Sequence, residues 1–257
     1  MADDNRPLKY ARYAVGEIIL VVIGILIALY INNWNEERKD KELLKEDLVA
    51  LKLDLNENLG ALNYVRESEL FRFYSMEKLL TLVNASPLNI EYTEIFKKDF
   101  PYQSNWIYQK SLPTVADEEF INLAFSWSGR HVPINLITDT MEELKSTGMY
   151  SKISSVELKN ALSTYYKIVE SHLEEHLYTK NYFIETTWEL SLLDDGITYV
   201  DVSKIDSPLQ YIQNNPTRIG LLKNLTGLSQ WRVQMTHESI DQLMITLELI
   251  DEEIAKL

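Results

Sequence analysis

The residues best equipped for chemistry are His172-Leu173-Glu174-Glu175-His176. Two histidines four apart share a helix face, and His-x-x-Glu-His is the inverted zincin spelling, in which Glu175 would act as base on a zinc-bound water. The surroundings argue against a hydrolase. The segment is acidic, and both histidines flank an apolar stripe where half-exposed imidazoles are ordinary. A third ligand would have to come from another segment, with Glu185 or Glu189 available only by accident of folding. Ser126-Trp127-Ser128-Gly129 lacks the leading glycine of a nucleophile elbow, although His131 is near in sequence. The eight glycines spell no phosphate-cradling loop. Pairs such as Glu142-Glu143 and Asp194-Asp195 read as solvated faces or loop ends in a chain with 39 acids. The expectation is a protein that is not an enzyme, with no catalytic residue, metal ligand or cofactor.

Composition narrows the partners. The net charge is −14. Asp3, Asp4 and Glu17 cancel Arg6, Lys9 and Arg12, so all of that charge lies beyond residue 34. Such a domain is repelled by nucleic acid and by anionic headgroups. Cysteine is absent, which removes disulfides, thiolate metal sites and cysteine nucleophiles.

The element that positions everything else is Ala14 to Trp34, AVGEIILVVIGILIALYINNW. About 21 residues at about 1.5 Å each cover the roughly 30 Å hydrocarbon layer of a bilayer. Tyr10, Tyr13, Tyr30 and Trp34 flank the run as interfacial anchors, and nothing from Ile18 to Leu29 is polar. A transmembrane helix is therefore expected, with the lipid bilayer as first partner. No small-x-small cleavage site follows the apolar run, so it reads as an uncleaved signal anchor. Basic residues flank both sides, and the positive-inside count, if anything, leans against export. The signal-anchor reading nevertheless places a single-pass protein in a bacterial inner membrane, with its soluble domain in the periplasm. Glu17 either lifts its carboxylate to the interface or faces a neighbouring helix; Gly24 and Ala28 form a small-xxx-small pair that permits helix contact.

GEIILVVIGILIALYINNWNEERK, Gly16 to Lys39, resembles the N-terminal signature of a family of single-pass membrane proteins of unknown function from Bacteroidota. Met141 to Tyr166 resembles a more variable helix–turn–helix of that family. The resemblance implies an anchor followed by a helical domain and implies no activity.

Four segments are expected: a tail (1–13) broken by Pro7, the transmembrane helix (14–34), a stalk helix (35–83), and a helical bundle (84–257) that packs with the stalk. The fold class is all-α, with long antiparallel helices. Leu44, Leu48, Leu51, Leu55, Leu59 and Leu62 recur at three- and four-residue steps, followed by Phe73, Met76, Leu80 and Val83. This stripe serves either the chain's own helices or a coiled coil with other protomers. Residues 84–132 form an irregular aromatic-rich insert, with short helices near Glu91 to Lys98 and from Val115 to Trp127 behind an N-cap at Thr114. A helix opened by Pro133 runs to Thr147 and stops at Gly148. Ser154-Ser155-Val156-Glu157 spells a capping box for a helix that extends to about Leu193 and is ended by Asp194-Asp195-Gly196. ITYVDV (197–202) is strand-like but isolated. Pro208 and Pro216 open a short and a long final helix, the latter with Gly220 and Gly227 as candidate bends.

The expected function is a scaffold or adaptor that binds membrane or periplasmic proteins and self-associates as a homo-oligomer. The rival is a tethered ligand sensor, weakened by a single span and a tail of about 13 residues.

Overall fold

A computed structural model describes residues 6–88, 94–96, 108, 110, 112–130, 132–178, 180–198 and 205–257, apart from some side chains within helices. Its axis is α1, an unbroken helix of 77 residues, Arg6–Leu82, about 115 Å long at 1.5 Å per residue. The expected break at Pro7 is absent. The proline sits in the first turn, where the missing N–H removes no intrahelical hydrogen bond, so residues 6–13 are helical.

Every side chain from Val15 to Trp34 is exposed, and this part of α1 is long and apolar enough to cross a membrane once. Helix α1 ends where Asn84 turns left-handed, at φ 54°. Ala85 N–H donates to the Leu80 carbonyl at 3.0 Å and Asn84 N–H to that of Thr81 at 3.1 Å, a Schellman closure with asparagine in the usual glycine place.

The remaining helices are α2 (Glu118–Ser128), α3 (Asp139–Ser146), α4 (Met149–Lys152), α5 (Val156–Tyr178), α6 (Lys180–Asp194), α7 (Pro208–Gln213) and α8 (Pro216–Ile254). A 3-10 turn spans Glu94–Phe96. No strand occurs among the described residues; Ile197 and Thr198 are irregular, and the rest of the strand-like stretch lies outside them. Helix α8 runs antiparallel to α1, with Lys52 paired to Asp251 near the membrane end and Lys223 bonded to Ser86 at the far end. Helix α5 is antiparallel to α8: Glu253 meets Ser154, and Gln242 donates to the Ala161 carbonyl at 3.2 Å.

Two large apolar clusters fill the bundle. The membrane-proximal one buries Leu44, Leu48, Leu51, Leu55 and Leu62 of α1 against Leu158 and Leu162 of α5, Leu243 and Leu247 of α8, and Met141 and Leu144 of α3; Leu59 sits at its edge. These leucines pack on their own chain, which leaves them no seam for a coiled coil. The stretch 35–83 is accordingly the central helix of the bundle. The distal cluster is aromatic, joining Phe71, Tyr108, Phe120, Phe125 and Trp188 to Met76, Leu79 and Leu222.

Several boundaries differ from the expected ones for local reasons. Residues 133–138 are not helical, because the Asn58 side chain holds Ile137 at both ends: its Nδ2 donates to the Ile137 carbonyl at 2.9 Å and its Oδ1 accepts the Ile137 N–H at 2.7 Å. The helix starts at Asp139 instead, and Gly148, at φ 81°, follows it as expected. Helix α2 is capped by Asp117, whose Oδ1 accepts the Phe120 N–H at 2.8 Å, and not by Thr114. At α5 the cap is Ser155, accepting from Leu158 N–H at 3.0 Å. The Ser154 and Ser155 N–H groups both donate to Glu253 of α8, which supplies the second half of the cap from another helix. Gly196, at φ 74°, closes α6 by the same geometry as Asn84, with Ile197 N–H bonded to the Leu192 carbonyl at 2.9 Å.

Candidate functional site

Between Val65 and Phe73 helix α1 is buried on every side, so its polar residues there have no water to turn to. Glu69 and Arg72, one turn apart, meet Glu185 of α6 and Arg232 of α8. Arg72 Nη1 donates to both Glu69 carboxylate oxygens at 2.8 Å, while its Nη2 reaches the Ser128 carbonyl at the end of α2 at 2.9 Å and Glu185 Oε1 at 3.3 Å. Arg232 Nη1 donates to Glu185 Oε1 at 2.7 Å and stands 3.6 Å from Glu69 Oε1. Two cations and two anions cancel, and one forked cluster joins four helices. Burial disfavours the charged form of Arg232, but the carboxylates of Glu69 and Glu185 outweigh it and hold its guanidinium above the ordinary value. Such a cluster positions helices with strict geometry; it has no exposed group with which to act on a substrate.

Beside it lies a cavity of about 270 Å³ walled by Phe125, Trp188, Leu192 and Ile197, with Ser126, Arg130 and Glu189 among its polar lining. Its shape depends on Gly129, where an added Cβ would stand 2.5 Å from Trp188 Cδ1. Ser126 and Ser128 donate their hydroxyls back to the Leu123 and Phe125 carbonyls at 2.9 and 2.7 Å, as helical serines do, which occupies the hydroxyl protons of a would-be nucleophile pair. His131 lies outside the described residues.

The zincin-like string falls in α5, but the side chains of His172, Glu175 and His176 lie outside the described residues. Of the two third ligands considered, Glu185 is engaged by both arginines and Glu189 is exposed. Among the described residues no three His, Asp or Glu side chains converge as a metal site requires.

In the apolar part of α1, a candidate membrane span, Glu17, Gly24 and Ala28 follow at steps of seven and four, so they share one side of α1, and all three are exposed. Among the described residues, nothing beyond the helix's own neighbouring backbone lies within 4 Å of a Cβ built on Gly24. Tyr30 and Trp34 are exposed at the C-terminal end of the apolar run, where Arg38 lies over the Trp34 ring at 6.0 Å. The side chains of Tyr10 and Tyr13 lie outside the described residues.

The sequence carries only a trace of the buried cluster. The leucine stripe lapses between Leu62 and Phe73, and within that gap Glu69 and Arg72 are spaced to pair.

Residues 17–84 match the model of a family of unknown function (DUF6090). The match opens inside the apolar candidate span and closes on Asn84, the residue that terminates α1, so it covers that apolar part and the bundle's central helix together. The block at 141–166 lies outside the matched residues. No curated protein and no solved structure matches the chain.

Proposed function

We propose that the chain is a membrane-anchored helical scaffold or adaptor that binds protein partners and self-associates through its span, with no chemistry of its own. It sits in the inner membrane of a bacterium of the Bacteroidota, single-pass, with the bundle in the periplasm. The observation that carries this reading is the unbroken α1, with every side chain exposed from Val15 to Trp34 and central to the bundle beyond. One rigid element therefore relates the span to the bundle surface. Apolar side chains left exposed on that surface, Val49 and Leu53 on α1 and Met244 and Ile245 on α8, support protein contact.

Gly24→Leu tests it. Since a Cβ on Gly24 meets nothing among the described residues beyond its own helix backbone, a bulky residue there changes mainly contact with a second helix. Detergent-purified protein is expected to be multimeric and the variant to be of lower order. A monomer in both removes the reading.

A second reading, a tethered ligand sensor, is favoured by the cavity against Trp188, whose walls belong to helices tied to α1 by the buried cluster. A ligand for it raises the melting temperature by several degrees at saturating concentration, as linkage requires. A screen of small apolar molecules without any such shift argues for the scaffold.

A further inference from the structure

At the membrane end of the bundle, α1, the α4–α5 junction and the end of α8 enclose a cleft of about 260 Å³. We propose that it binds a zwitterionic phospholipid headgroup, a phosphate together with a primary ammonium, from the bilayer that α1 crosses. This rests on the reading of α1 as a membrane anchor.

Position comes first. With Trp34 at the interface, 1.5 Å per residue sets Glu37 about 4.5 Å and Lys41 about 10 Å further along the helix. The headgroup layer is about 5–7 Å deep on each side of the hydrocarbon. The mouth of the cleft therefore lies at and just above the headgroups, and the continuity of α1 keeps it there. Arg38, over the Trp34 ring, shows a cationic side chain already reaching toward that level.

Charge comes second. Beyond residue 34 the chain carries a large excess of acids, yet this cleft gathers Lys41, Lys152 and Lys256 against Glu37 and Asp40, with Ser154 beside them. Lys152 pairs with Asp40 at 2.7 Å, which holds opposite charges side by side at the rim. Lys41, with Lys152 and Lys256, which also pair with Asp40 and Glu253, suits a phosphate, and the carboxylates of Glu37 and Asp40 suit an ammonium. Leu44 and Leu257 provide an apolar wall for the glycerol end. A primary ammonium has three N–H donors for the carboxylates, whereas a choline group has none.

The test uses the full chain in nanodiscs holding equal ethanolamine, choline and glycerol phospholipids, with native mass spectrometry of the lipids retained on release. Ethanolamine lipid is expected to be enriched about tenfold over choline lipid, the equivalent of one charge-assisted hydrogen bond. Lys152→Glu combined with Lys256→Glu abolishes retention, Asp40→Asn removes the ethanolamine preference, and Lys167→Glu, an exposed lysine midway along α5, changes neither. Equal retention of the three lipids, or retention unchanged by the double lysine variant, overturns the proposal. Displacement of the lipid by micromolar free phosphoethanolamine also overturns it, by assigning the cleft to a soluble ligand. Alkaline carbonate extraction separates the two layers of the argument. Release of the intact chain defeats the anchor itself, whereas a resistant chain without lipid preference defeats only the cleft.

Discussion

Helix α1 is held in two different ways along one continuous rod. From Leu44 to Leu62 it shows one apolar face to α3, α5 and α8 and keeps its other faces in water. From Val65 to Phe73 it is enclosed on all sides, and charged groups are buried with the apolar ones. A one-sided burial writes a three-and-four periodicity into the sequence, because half the positions must be soluble. An all-round burial erases that periodicity and replaces it with a pairing requirement, since each enclosed polar group must find a partner. The membrane-proximal half is accordingly tolerant in detail, and the distal half is exacting at a few positions.

The sharpest way to break this contrast is to remove one member of the buried cluster. Arg72→Leu leaves Glu69 and Glu185 enclosed with a single remaining cation and the Ser128 carbonyl without its donor. The expected loss is about 3–5 kcal/mol, as for other interrupted buried ion pairs. Chemical denaturation of the soluble bundle measures it. Replacing Glu69, Arg72, Glu185 and Arg232 together with apolar residues of similar volume should recover most of that loss, because the burial cost of the charges disappears with them. If Arg72→Leu costs under about 1 kcal/mol, in the range of an exposed pair, the enclosure of α1 at this level is wrong.

The membrane-proximal half has a buried carboxylate of its own, which brings the comparison to a finer scale. Glu253 is enclosed, and burial by itself would raise its pKa. The N–H groups of Ser154 and Ser155 and the nearby Lys256 outweigh that and hold it below the ordinary 4.5. A lowered folded pKa gives stability that is complete above the unfolded value and is lost as pH falls through the folded one. Glu253→Gln is expected to cost about 1–3 kcal/mol at neutral pH, the cost of weakening a buried charge-assisted contact. It should also flatten the stability profile below pH 4.5. A variant whose acid limb superimposes on that of the parent would show that α5 is not capped from α8.

What could be read in advance follows the same division. The apolar N-terminal helix, the leucine stripe and the proline-opened α7 and α8 are governed by local pattern, and the structure has these helices where the sequence placed them. Elements set by contacts between distant segments were not legible. Pro133 suggests a helix start, but Asn58, 79 residues before Ile137, holds that residue's backbone N–H and carbonyl out of a helix. Ser154 looked like a cap until Glu253, from the far end of the chain, took its N–H. Glu69, Arg72, Glu185 and Arg232 are ordinary surface residues in a one-dimensional reading. Only the lapse of the stripe after Leu62 hinted that one face no longer sufficed.

Gly60 lies just before that transition, exposed, with nothing within 4 Å of where its Cβ would stand. A helical glycine in open space weakens the helix without serving a contact, so Gly60→Ala should stabilise the bundle by about 0.5–1 kcal/mol. The gain matters because this residue joins the one-sided segment of α1 to the enclosed one. If the rod is straight there in the assembled protein, alanine strengthens it and leaves oligomeric order unchanged. If partners bend α1 at this point, the same substitution stabilises the isolated chain while weakening assembly, and sedimentation of the variant beside its melting curve distinguishes the two.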